Sequence, residues 1–263
     1  MPSKNAIKEY EADSYYHLYN RGVAKRTIFK TDKDYKTFLS YLQLYLTHPN
    51  LQGDSLKVSP SRSLKNYADE IKLLCYCLMP NHFHILLRQN SNQGSNYFMR
   101  SLGTKYVRYF NSRHRRVGHL FQGTYKAVRV TTENQFTHLS KYIHRNPLAL
   151  PSFKESPRRL ENYSYSSYPN YLGKLHQTWI CPDDILNHFS KTNPRLSYQT
   201  FVEESNPSDN FFIAPLSLDL DQPSRRLLEG SLSGAPEATA PNLRPQPDFW
   251  PVPASRWPPD GDI

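Results

Sequence analysis

Apolar and aromatic positions along the chain alternate between a period of two and a period near 3.6, and the switches mark out its elements. The aromatic-rich run Tyr15-Tyr16-His17-Leu18-Tyr19-Asn20 ends at Arg21-Gly22, a turn signal, and predicts a first strand. Thr31 is then placed to cap a helix over 32–47, in which Tyr35, Phe38, Leu39, Leu42 and Leu46 recur at helical spacing. Residues 48–66, rich in Pro, Gly, Ser and Asn, read as an exposed loop. Strands are predicted at 71–78 and 82–87, and the short Met79-Pro80-Asn81 connection makes them an antiparallel hairpin. A second helix over 96–111 turns Phe98, Met99, Leu102, Tyr106 and Phe110 inward and leaves Arg100, Lys105, Arg108 and Arg113 to solvent. Residues 124–130 alternate as a further strand, and Thr132 with Gln135 forms a capping box for a third helix that Pro147 limits. A tyrosine-rich stretch at 163–171 and a short helix around 182–189 follow.

Composition divides the chain in two. Residues 1–202 hold 29 Lys and Arg against 13 Asp and Glu, whereas residues 203–263 hold 4 against 10 and 11 of the 21 prolines. The first part is long enough for one good-sized core. The second, Pro-rich and without an apolar period, is expected to be a disordered acidic tail. Basic side chains neutralise phosphates and aromatic rings stack on bases, so a basic part carrying most of the 19 tyrosines suits a nucleic-acid partner. No apolar run approaches the roughly 20 residues of a membrane span and no secretory leader opens the chain, so a cytoplasmic protein with no membrane partner is expected. Three cysteines, two of them in Cys75-Tyr76-Cys77, do not suit a disulfide framework.

Two constellations can do chemistry. In His82-Phe83-His84 the strand alternation sends both imidazoles to one face, where they can lean onto one ion, and Phe83 to the other. On the third helix Phe136, Leu139 and Ile143 form the buried stripe, while His138, Tyr142 and Asn146 share a second face at i, i+4 and i+8. A divalent ion on His82 and His84 would polarise a phosphodiester, Asn146 could add an oxygen ligand, and Tyr142 would attack. His138 is either a local helper or a solvated helix residue. Two imidazoles with hard oxygen ligands fit Mg²⁺ or Mn²⁺. A zinc reading of Cys75, Cys77, His82 and His84 is the alternative, and the apolar run around the cysteines argues against it.

At these residues the chain resembles the REP-associated tyrosine transposases of the single-tyrosine HUH superfamily. Met79-Pro80-Asn81-His82-Phe83-His84-Ile85-Leu86-Leu87 is similar to their HUH motif, and Tyr142-Ile143-His144-Arg145-Asn146-Pro147 to their tyrosine helix. Tyr16-His17-Leu18-Tyr19-Asn20-Arg21-Gly22 with Ile28-Phe29, and the run from Arg115-Arg116-Val117 to Phe121-Gln122-Gly123, fit the REP-associated branch. The resemblance covers about residues 15–172; the loop at 48–66 and the tail have no counterpart in it. It implies a ferredoxin-like α+β fold, with helices packed on an antiparallel central sheet that carries the HUH pair. It also implies cleavage of single-stranded DNA beside a hairpin through a 5′-phosphotyrosine intermediate, with Tyr142 as nucleophile and His82, His84 and Asn146 as metal ligands. Relatives act as monomers and as homodimers. Candidate DNA contacts are Arg21, Lys25, Arg26, Arg113, Arg115 and Arg116, with Tyr19 or Tyr125 as stacking platforms. A non-catalytic hairpin-binding regulator and an RNA-binding domain are the competing classes.

Overall fold

The computed structural model describes residues 8–51, 65–154 and 159–204. Most of the predicted loop at 48–66, and all of the predicted tail beyond residue 204, lie outside the described residues. Four strands, Ser14–Arg21 (β1), Ile71–Met79 (β2), His82–Gln89 (β3) and Lys126–Val130 (β4), form one antiparallel sheet in the order β2-β3-β1-β4. The longer helices are Asp32–Leu46 (α1), Gly94–Arg113 (α2) and Glu133–Arg145 (α3). The chain order β1-α1-β2-β3-α2-β4 in that sheet is the ferredoxin-like arrangement expected from the motifs. Four shorter helices follow: Pro151–Lys154 (α4), Tyr168–Tyr171 (α5), Asp183–Leu186 (α6) and Tyr198–Glu203 (α7).

Strand alternation splits the interior into two cores. Tyr16, Leu18, Leu73, Tyr76, Leu78, Phe83, Ile85 and Leu87 pack with α1 and α2 on one face. Leu74, Cys75, Cys77, Met79, Leu86 and Val130 pack with α3 on the other. Both faces are covered, which is why β2 reads as a nearly continuous apolar run. A bulge adjusts its phase: Leu73 pairs with Leu87 and Cys75 with Leu86, so Leu74 is the extra residue and joins Cys75 on the α3 side.

The ends of the elements follow local chemistry. Asp34, fully buried in the first turn of α1, accepts from the backbone N–H groups of Lys30 and Thr31 and from the Thr31 hydroxyl. Thr132 caps α3 by accepting from Gln135 N. The returning Gln135 side chain, however, accepts from the N–H of Thr131 rather than that of Thr132, one residue short of the predicted box. The two-residue turn Pro80-Asn81 is braced from outside, because Ile28 N and Phe29 N donate to the Pro80 carbonyl and Gly22 N to that of Asn81. Any Cβ at Gly22 would collide with the Arg26 carbonyl oxygen, so only glycine lets this brace close. The outer edge of β2 is covered in turn by the tyrosine-rich stretch, with Leu78 N donating to Tyr165 O and Ser167 N to Tyr76 O. No helix among the described residues is long and apolar enough to cross a membrane.

Candidate active site

The site forms where the last turn of α3 lies over β3. Pairing of β3 with β1 and β2 fixes its pleat, which directs His82 and His84 toward α3 and buries Phe83 on the opposite face against Phe38 and Phe121. From above, the Tyr142 ring meets the His84 ring edge-on, with centroids 5.4 Å apart, while Phe136, Leu139 and Ile143 anchor the helix. The rings of His82 and His84 lie 5.0 Å apart and nearly perpendicular. Asn146 keeps right-handed helical angles (φ −49°, ψ −39°) despite preceding Pro147. Its backbone N–H turns to Ile143 O, so the Tyr142 carbonyl accepts instead from the Asn146 side-chain Nδ2 at 3.0 Å. That bond aims Asn146 Oδ1 at His82 Nε2, 3.3 Å away.

The hydrogen bonds decide which atoms remain as donors to an ion. Asn81 Oδ1, an oxygen that can only accept, lies 2.6 Å from His82 Nδ1. His82 Nδ1 donates to that oxygen, so Nε2 is the nitrogen turned toward Asn146 Oδ1. His82 Nε2 and Asn146 Oδ1 thus face each other, and a proton or a metal cation can join them. His84 is fully buried; its Nδ1 lies 2.9 Å from His17 Nε2, and its Nε2 is buried without a hydrogen-bond partner. Burial first, then the neighbouring His82 and His17, holds the His84 imidazole well below its ordinary value and hence neutral, the form that ligates metals. Two imidazole nitrogens and an amide oxygen are a donor set that fits Mg²⁺ or Mn²⁺. Among the described residues no group of three or more His, Cys, Asp and Glu side chains is placed to hold a metal. The zinc alternative loses support because Cys75 and Cys77 are fully buried in apolar surroundings that push both thiols up, against the thiolate that zinc requires.

The cations divide into two groups. Arg21 pairs with His82 in the β1–β3 register and so flanks the site. Lys25 and Arg26 are exposed on the following turn, whose Lys25 carbonyl accepts from Asn81 Nδ2 at 3.4 Å. Arg113, Arg115 and Arg116 lie at the end of α2. There Arg113 is 3.6 Å from the Asp34 carboxylate and Arg116 donates to the His119 carbonyl at 2.6 Å, while Arg115 is exposed. The segment beyond them returns to the first group, with Gln122 N donating to Arg21 O.

Several sequence expectations need correction. Tyr19 is 1% exposed and packs against His17 and His84, so it cannot offer its face to a base. Tyr125 is half-buried and its hydroxyl is bonded to that of Tyr10. His138 is half-buried, with its ring edge-on against Phe201 of α7. His17 and Asn81, which local pattern does not single out, also border the site. Both stand inside the matched motifs, but their contacts depend on strand register and turn geometry.

The family model for transposases described as IS200-like matches residues 12–146, more than half of the chain. No curated protein matches the sequence. Among solved structures, a REP-associated tyrosine transposase bound to a REP hairpin is similar over 73% of this chain and 95% of that one, at 11% identity and a TM-score of 0.44. A protein from Deinococcus radiodurans R1, classed provisionally as a transposase, is similar over 55% of this chain and 97% of its own, at 15% identity and a TM-score of 0.32. The matched region runs from the start of β1 to Asn146 and so takes in every element that builds the site: this chain belongs to the family of IS200-like transposases.

Proposed function

We propose that this transposase nicks and rejoins single-stranded DNA beside a hairpin, with Tyr142 as nucleophile and a divalent cation, Mg²⁺ or Mn²⁺, held by His82, His84 and Asn146. The observation that carries this reading is the meeting of the Tyr142 ring with His84, whose Nε2 is buried without a hydrogen-bond partner, beside His82 Nε2 and the Asn146 oxygen. When bound, the cation withdraws charge from the scissile phosphate. The Tyr142 oxygen forms a bond to phosphorus as the bond to the 3′ oxygen breaks, leaving a 5′-phosphotyrosine and a free 3′-OH. The phenol gives up one proton and the departing 3′ oxygen gains one, so the step is balanced and reversible by attack of a 3′-OH. Because an ordinary phenol loses its proton near pH 10, the charge gathered at the site must assist this loss at neutral pH.

Arg21 would hold a phosphate next to the reacting one, a role its pairing opposite His82 supports. Lys25, Arg26, Arg113, Arg115 and Arg116 supply the basic surface for the hairpin stem. The motifs of the REP-associated branch support a hairpin as the partner, and DNA as substrate makes the cytoplasm the working compartment. In the deciding experiment the protein is incubated with an end-labelled hairpin oligonucleotide and Mn²⁺, then denatured and run on a gel. A covalent adduct is expected, absent in Tyr142→Phe and reduced at least about 100-fold by His82→Ala. A mobility shift with no adduct in the wild type would assign the protein to the non-catalytic hairpin binders, and preference for the ribose analogue to the RNA binders.

A further inference from the structure

From the pairing of His17 with His84 we infer that His17 is a positioning residue for the metal centre: its Nε2 accepts the His84 Nδ1–H and so holds His84 in the tautomer that directs a bare Nε2 toward the ion. The inference rests on the metal reading above and goes beyond it. Both imidazoles are fully buried, with His17 Nε2 and His84 Nδ1 2.9 Å apart. The rings lie nearly parallel, 19° between planes and 5.1 Å between centroids, and the His17 ring also leans on that of Tyr19 at 4.8 Å. An imidazole in this wall has little freedom to turn. The β1–β3 register sets His17 opposite Leu86 and Tyr19 opposite His84, so the contact is diagonal and is set by the pairing of two central strands.

A neutral imidazole carries one proton, and its position decides which nitrogen can ligate. For His82 that choice is made by the Asn81 oxygen. For His84 the partner is a second imidazole, which could in principle either donate or accept. The other His84 nitrogen removes the ambiguity. A proton on Nε2 would be a buried donor without an acceptor, since that atom has no hydrogen-bond partner, whereas a lone pair there is what a cation uses. The proton therefore belongs on Nδ1, and His17 Nε2 receives it. Metal-bound histidines ordinarily give their second N–H to a carboxylate, a carbonyl or water, and removing such a partner typically weakens metal binding 10–100-fold. Here the partner is itself a histidine on a neighbouring strand.

Two measurements test this, neither of them on the activity of the loaded enzyme. In the metal-free wild-type protein, nitrogen–proton correlation of the histidine side chains should show His84 protonated at Nδ1 and bare at Nε2; the opposite tautomer overturns the inference whatever the variants do. Mn²⁺ affinity, read by electron paramagnetic resonance, should fall roughly 10–100-fold in His17→Leu. It should return to within a few-fold of wild type in His17→Gln, whose amide oxygen can stand where Nε2 stood. Equal affinity in wild type and a folded His17→Leu, or an equal fall in both variants, overturns it as well. Wild-type protein that binds no Mn²⁺ at all would defeat the metal reading itself, and that result differs from each of the others.

Discussion

Two buried histidines of the tyrosine motif and the HUH motif show how side chains of one type come to serve different ends. His144 is bonded at both nitrogens, to the Tyr198 hydroxyl at 2.7 Å and to Ser167 Oγ at 2.9 Å, and burial pushes its value down to about 3. Every polar atom of that ring is satisfied, so it acts as a buried linker between α3 and the segments that follow. His84 has one nitrogen satisfied and one not. On the metal reading proposed above, that unsatisfied nitrogen is the one a cation would complete. Replacing His144 by Leu should leave Ser167 and Tyr198 without their partner and cost about 2–4 kcal/mol. Thermal melting should then fall by roughly 4–16 °C. A melting temperature unchanged from wild type would show that the linker contributes nothing.

At the level of elements, Asp34 ties the first turn of α1 to the last turn of α2. Its carboxylate takes the Lys30 and Thr31 N–H groups on one side, and Tyr109 OH at 3.1 Å and His114 Nε2 at 3.0 Å on the other. Burial by itself would raise this carboxyl; hydrogen bonds from His114, Thr31 and Lys30 outweigh it and hold the group below the ordinary range. A depressed carboxyl contributes stability that is complete above its unfolded value near 3.8 and is lost as pH falls through the folded value. Asp34→Asn should therefore cost roughly 1.5–3 kcal/mol at pH 7 in a denaturant titration. The gap from wild type should narrow below pH 4, and an equal gap at pH 7 and pH 3 would count against this account.

On the scale of the whole molecule, the sheet serves two cores, and the chain beyond α3 completes the one that holds the site. Tyr198 and Val202 of α7 are buried against α3, and Arg145 donates to the carbonyls of Val202, Glu203 and Glu204 at 2.7, 3.1 and 3.2 Å. Burying one tyrosine removes about 150–250 Å² from water, worth about 4–6 kcal/mol at roughly 25 cal/mol per Å². A chain ending after Leu196, which lacks α7, should melt about 10 °C or more below one ending after Glu204 in calorimetry. Similar melting of the two shortened chains would show that α7 is not part of the core.

Local pattern alone determined much of this protein. The period of two in 82–87 and of 3.6 in 132–146 placed His82 with His84 and Tyr142 with Asn146, because side-chain direction within one element follows from backbone geometry. What no local pattern could supply was the relation between elements. That β3 lies beside β1, so that His17 reaches His84 and Arg21 stands opposite His82, is set by strand order and register. Tyr19 looked like a stacking surface because aromatic residues favour strands on either face, and only the cover of packed neighbours made it interior. The phase change at Leu74, the covering of β2 by the tyrosine-rich stretch and the contact of Tyr142 with His84 are likewise long-range. The sequence named the chemical groups, whereas tertiary packing decided which partners their atoms meet, since hydrogen-bond partners come from segments distant along the chain.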